Sequence, residues 1–193
     1  IAKGHPTVLM GMEIQTAEEV EILALFAEEE PCLALGEELY ALLPPLRNEP
    51  ELFGDQLVVD ERDEIVQVVE KLLLSPIPLS LEEVREKVQG SGRAGDPCHV
   101  DRIPGGILGV LGFLGAWPAV EISPWTDAEE ARKRWPELKK TQIFRSSDAH
   151  YPWEIGRAWT ELYLKGPDFS ELTSAVRGEG GRLVRPGPAL KEG

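Results

Sequence analysis

Cysteine is scarce in this chain. Cys32 and Cys98 are the only two, and they form neither a CxxC pair nor a disulfide framework. That argues against a small disulfide-stapled secreted scaffold and predicts a reducing, cytoplasmic setting. The chain opens on Ile1 with no charged n-region and no apolar h-region, so no signal peptide is visible. It reads as beginning inside a longer protein. Residues 103–120 carry no charge, the length of a short membrane span. Five glycines (105, 106, 109, 112 and 115) and two prolines (104 and 118) break the run, which reads as a loop, a short buried helix and the start of a strand. No membrane partner is expected. Positive charge is also short: 20 Lys and Arg face 34 Asp and Glu, a net charge of −14, with Glu28, Glu29 and Glu30 in a row. Such a surface repels phosphate backbones and argues against a general nucleic-acid binder. A pocket loaded with cations could still accept one phosphate locally.

Internal repeats and low-complexity tracts are absent, and 193 residues suit a single domain with a full core. Thr7–Ile14 reads as a buried strand and Glu21–Phe26 as a second. Leu33–Leu43 reads as a helix stopped by Pro44-Pro45. Gln56–Asp60 and Glu64–Val69 flank a charged turn, which suggests a hairpin or a strand leading into a helix. Ser80-Leu81-Glu82-Glu83 and Thr126-Asp127-Ala128-Glu129 are capping boxes opening helices to about Gln89 and Trp135. Ala119–Ser123, Gln142–Arg145, Trp159–Leu164 and Arg182–Arg185 read as short strands, and Ser170 as the cap of a helix ending at Gly178. Strands alternating with helices predict an α/β fold with mostly parallel strands. Residues 186–193 read as a tail, which leaves 1–185 as the domain.

The chemistry-bearing residues collect at the expected strand ends, where barrels of this type place their sites. Ser146-Ser147-Asp148-Ala149-His150 follows a strand, and period-2 alternation points Asp148 and His150 the same way. Glu13 sits among Met12 and Ile14, where a carboxylate needs a partner. Pro97-Cys98-His99-Val100-Asp101-Arg102 puts a second histidine beside an aspartate. Taken singly, each histidine fits a turn or a core position. Taken together, Glu13, His99, Asp148 and His150 form a Glu/His/Asp/His set suited to a hard or borderline metal.

These same residues carry a resemblance. Gly11-Met12-Glu13, then Glu18-Glu19-Val20 before an apolar strand, then His99-Val100-Asp101-Arg102, then Ser147-Asp148-Ala149-His150 with Tyr151-Pro152 and Ile155-Gly156 resemble, in order, the PHP (polymerase and histidinol phosphatase) family. The likeness runs from about Val8 to Arg177, and the stand-alone metal-dependent phosphoesterases look nearest. The resemblance implies a distorted (β/α)7 TIM-like barrel, incomplete at the N-terminus. It also implies up to three divalent ions (Zn, Mn or Fe) and hydrolysis of a small phosphorylated substrate. Glu13 matches the family's bridging carboxylate, His99 its third-motif histidine, and Asp148 and His150 its last Asp-x-His motif. Asp148, His150 and His99 are thus the implied catalytic residues. Asp101 and Arg102 match positions beside the site; Arg102 fits a bidentate phosphate contact and equally a surface ion pair.

Three departures stand out. The family's opening His-x-His and the following Asp-His pair are absent, and His5 is the only upstream histidine. Glu21 stands where the family usually has a histidine; it could ligate through oxygen, or that site is lost. The strand before His99 reads Arg93-Ala94-Gly95-Asp96-Pro97, poor residues for a central strand. These departures lead to the expectation that the 193-residue piece alone is weak or inactive. They also keep open a degenerate, non-catalytic PHP-like module serving as a scaffold. An amidohydrolase-like enzyme on a related barrel is the third reading.

Overall fold

The computed structural model describes residues 6–89 and 93–191; His5 lies outside them. Strand β1 (Met10–Gln15) and β2 (Glu21–Phe26) are joined by five residues, far fewer than a parallel crossover needs, so they pair as an antiparallel hairpin. A long excursion follows: α1 (Glu29–Leu42), α2 (Pro50–Phe53), the hairpin β3 (Leu57–Val59) and β4 (Ile65–Val68), and α3 (Leu81–Val88). The chain returns as β5 (Arg93–Pro97), antiparallel to β2, which completes a three-stranded sheet in the order β1-β2-β5. Next come α4 (Ile107–Val110), β6 (Ala119–Glu121), α5 (Ala128–Arg134) and β7 (Gln142–Phe144), with β6 and β7 parallel. The last elements are β8 (Thr160–Tyr163), α6 (Phe169–Val176) and β9 (Leu183–Pro186), with β8 and β9 antiparallel.

This corrects the expected barrel. Among the described residues there is no closed (β/α)7 barrel, but one three-stranded sheet and three two-stranded ones, with β6–β7 the only parallel ladder. Alternating strand and helix signals suggested parallel strands. The short Thr16–Val20 connection overrules that pattern at the first pair. Thr16 secures the turn: its backbone N–H donates to Val20 O at 2.9 Å, and its hydroxyl accepts from Val20 N at 3.3 Å.

Packing follows the alternation of β2. Ile22, Ala24 and Phe26 are buried, in one core with Leu35 and Leu39 of α1 and Val84 and Val88 of α3. Burying each large aliphatic or aromatic side chain contributes about 1.5–3 kcal/mol relative to exposure. The opposite face of β2, with Leu23 and Leu25, borders an apolar cavity of about 290 Å³ also lined by Val120, Phe144, Trp159 and Val176. Ser80 forms a complete capping box with Glu83 at α3. At the other two helices the cap is an aspartate rather than the expected hydroxyl: Asp127 caps α5 and Asp168 caps α6, because a charged acceptor bonds the free N–H groups of the first turn. In the uncharged stretch the chain forms a loop, the four-residue α4 and the start of β6. Among the described residues no helix is long and apolar enough to cross a membrane. The segment read as a tail is hydrogen-bonded at two points: Gly187 N donates to Trp159 O and Leu190 N to Pro124 O, both at 2.8 Å.

Candidate metal centre

The antiparallel hairpin decides which residues meet. The end of β1, the start of β2 and the end of β5 share one sheet edge, because Gln15 pairs with Glu21 and Ile22 with Pro97. Glu13, Glu21 and the Cys98-His99 turn therefore come to one place. Glu13, Cys98 and His99 each offer a ligand atom, and the three atoms lie within 4.8 Å of one another. Glu21 joins through His99, with Nε2 to Oε2 at 3.0 Å. The His99 side chain is almost wholly buried, and its Nδ1 has no hydrogen-bond partner.

The backbone is shaped to hold this pair. His99 (φ 28°) and Asp148 (φ 47°) both occupy the left-handed region, which costs a non-glycine residue roughly 1–3 kcal/mol. Arg102 N closes the His99 turn by donating to His99 O at 2.8 Å. Gly106 lets the chain pass this turn: a Cβ there would lie 2.6 Å from His99 O and 2.7 Å from Arg102 N. Gly105, at φ +93°, does the same for Glu21, whose Oε2 would stand 2.8 Å from an added Cβ.

Asp148 and His150 follow β7 and belong to a neighbouring cleft, of about 400 Å³, that also holds Arg102. Arg102 Nη1 bonds Asp148 Oδ2 directly. His150 is exposed, and its Nδ1 lies 2.9 Å from Asp148 O and 4.0 Å from Asp148 Oδ1. The two halves of the site feel each other. Glu13 is raised above the ordinary carboxylate range, first by desolvation and then by the Asp148 charge, with Glu21 adding and His99 and His150 opposing. Burial lowers His99, but the bond and charge of Glu21, with Glu121, outweigh it and leave the imidazole raised.

Asp101 is not among the residues that line the cleft. It accepts from Ser123 N at 2.8 Å and Ser123 Oγ at 2.9 Å, and from the Thr126 hydroxyl, so it ties the loop after β6 in place. Two residues of the site escaped sequence reading. Cys98 has no cysteine partner in the sequence to mark it, yet its neighbour is His99. Its thiol is pushed up by burial and by Glu13, Glu121 and Glu21, so it keeps its proton unless a cation arrives. Glu121, at the end of β6, is pushed up to about 7, mainly by burial, with Asp148 and Glu13 adding and His99 opposing. A glutamate between Val120 and Ile122 is as anomalous as Glu13 between Met12 and Ile14, and that signal was available. Ser146 donates its hydroxyl to Glu121.

A nitrogen, a thiol and a carboxylate at this spacing are a donor set for a borderline divalent ion. The crowd of carboxylates around them, with a buried imidazole nitrogen left unpartnered, is the electrostatic setting in which a cation is favourable. The residues present fit a metal.

Residues 131–179 match the model of a family described as PHP-associated. That segment is PHP-related. It runs from within α5 to just past α6 and so includes Asp148 and His150. No curated protein matches the chain. Two solved structures are similar in fold. One is the lesion-specific endonuclease PfuEndoQ from Pyrococcus furiosus, with a TM-score of 0.63 and 17% identity over 89% of this chain and 39% of that one. The other is endonuclease Q in complex with a 27-mer duplex substrate with an abasic lesion at the active site, with a TM-score of 0.54 and 16% identity over the same shares. The chain thus spans about two fifths of the length of the structures it matches.

Proposed function

We propose that residues 1–185 act as one PHP-like hydrolase unit that cleaves phosphate esters with the help of divalent metal. The observation that supports this most directly is the Glu13–Cys98–His99 cluster, with ligand atoms within 4.8 Å, beside the Arg102–Asp148–His150 cleft. Glu13, Cys98 and His99 would hold a cation, with Glu21 orienting the His99 ring. A bound divalent ion supplies a water of lowered pKa and neutralises charge on the phosphate. Arg102, with one guanidinium nitrogen already on Asp148, presents its remaining N–H groups to a phosphate oxygen. His150 stands exposed in the same cleft, where it can give a proton to the departing oxygen.

The rival reading is a non-catalytic PHP-like module. The Arg102–Asp148 ion pair favours it, since it occupies a carboxylate that the resemblance assigns to metal. Calorimetric titration with Zn²⁺ and Mn²⁺, followed by assays of a phosphomonoester and a phosphodiester, separates the two. Binding that is lost in Glu13→Gln and in His99→Ala, with turnover lost in parallel, is the expected result. Absence of both binding and turnover in the folded wild-type chain would leave the module.

A further inference from the structure

The cleft beside Asp148 carries more than charge. Trp125 and Tyr151 line it together with Arg102, Asp148, His150 and Arg157. Both rings are open to solvent, at 49% and 56% exposure. Trp153 stacks on Tyr151 with centroids 4.7 Å apart and planes 8° from parallel. Trp153 itself is not part of the cleft lining, so the stack occupies one face of Tyr151 from outside the residues that line the cleft. The backbone that carries the ring is also tied down. Glu154 accepts from His150 N at 2.9 Å and Tyr151 N at 3.2 Å, which locks the turn Pro152–Glu154 that carries the pair. An aromatic ring already ordered by stacking takes up a further flat ring with little ordering cost.

Resting on the hydrolase reading above, we propose that this cleft selects phosphate esters whose organic group is a flat aromatic ring. Tyr151 and Trp125 would be the specificity-determining residues and Arg102 the phosphate anchor. A cleft of about 400 Å³ has room for one ring and its phosphate. The net charge of −14 works against a long polyanion following it, so the ligand is a small aromatic ester rather than a nucleic-acid strand.

The test is direct binding, measured by calorimetry on the metal-free chain with four probes: adenosine 5′-monophosphate, phenyl phosphate, ethyl phosphate and inorganic phosphate. The two aromatic esters should bind about tenfold more tightly than the other two, which is ~1.4 kcal/mol. Tyr151→Ala should remove that advantage and leave inorganic phosphate unchanged, while Tyr151→Phe should keep it. Arg102→Ala should weaken all four. A stronger response to the nucleotide than to phenyl phosphate assigns a nucleobase; equal responses assign a simple aryl group. Equal affinity for aromatic and aliphatic esters, a Tyr151→Ala variant that keeps the preference, or no binding of any probe would overturn the proposal. Because no turnover is needed, its fate separates from that of the hydrolase reading. Ring-dependent binding without hydrolysis sinks only the latter, and hydrolysis without ring preference sinks only this one.

Discussion

Asp96 should make this protein less stable as pH rises, and Asp96→Asn should remove that penalty. Asp96 lies on β5 opposite Leu23, with its Oδ1 buried and without a hydrogen-bond partner. Burial pushes the carboxyl from 3.8 to about 7, against the pull of the Ala119 backbone N–H and the Arg85 guanidinium. Below its ordinary pKa both folded and unfolded chains hold the proton, and nothing is lost. Between about pH 4 and pH 7 the unfolded chain has released the proton while the folded one retains it, so stability falls with rising pH; above pH 7 the loss is complete. At 1.36 kcal/mol per pH unit the full cost is at most about 4 kcal/mol, of which up to about 3 accrues between pH 5 and pH 8. Asparagine keeps the shape and carries no charge at either pH. Urea unfolding of both proteins at pH 5, 6, 7 and 8 measures the difference directly. Glu121, also pushed up to about 7, slopes both proteins alike and cancels in the subtraction. The variant should lead wild type by only about 1–2 kcal/mol at pH 5, gain steadily to about pH 7 and then level off. A difference that stays constant, or narrows, across this range would show that Asp96 ionises freely in the fold.

Three further outcomes follow from contacts elsewhere. Gly95→Ala drives a Cβ into the Val88 side chain, 2.9 Å from Val88 Cβ and closer still to Cγ2, and should cost about 1–3 kcal/mol in urea unfolding, with Val88→Ala recovering part of the loss in the double variant. A neutral Gly95→Ala would mean that α3 and β5 are not packed this closely. Asp101→Asn should destabilise by about 1–3 kcal/mol through its Ser123 and Thr126 bonds while leaving Zn²⁺ affinity alone, and a selective loss of metal binding would return Asp101 to the site. Cys98, buried and with its thiol pushed up, should resist iodoacetamide at pH 8 in the folded chain and react only on unfolding; labelling at the rate of the half-buried Cys32 would contradict its placement.

Much of this molecule was legible in its residues. The apolar run Glu21–Phe26 placed β2 at its observed bounds, and Ser80–Glu83 marked the start of α3, because both depend on neighbours within a few positions. The motif residues Glu13, His99, Asp148 and His150 stood out as polar groups at strand ends, and the match of residues 131–179 is consistent with the PHP resemblance. Strand direction was another matter. It followed from the length of the Thr16–Val20 link, which periodicity does not report, and with it fell the expectation of a parallel barrel. The antiparallel pairing of β1, β2 and β5 then brought Glu21 onto His99 and made Cys98 a neighbour of Glu13, while the turn after β5 set Asp101 against Ser123. None of those pairings has a local signature. The residues lie tens of positions apart, and only chain reversal and packing set their distances. Pattern along the chain therefore determined which groups were available for chemistry. The tertiary structure decided which of them met, because charge, burial and metal affinity all depend on separations of a few ångströms between remote segments.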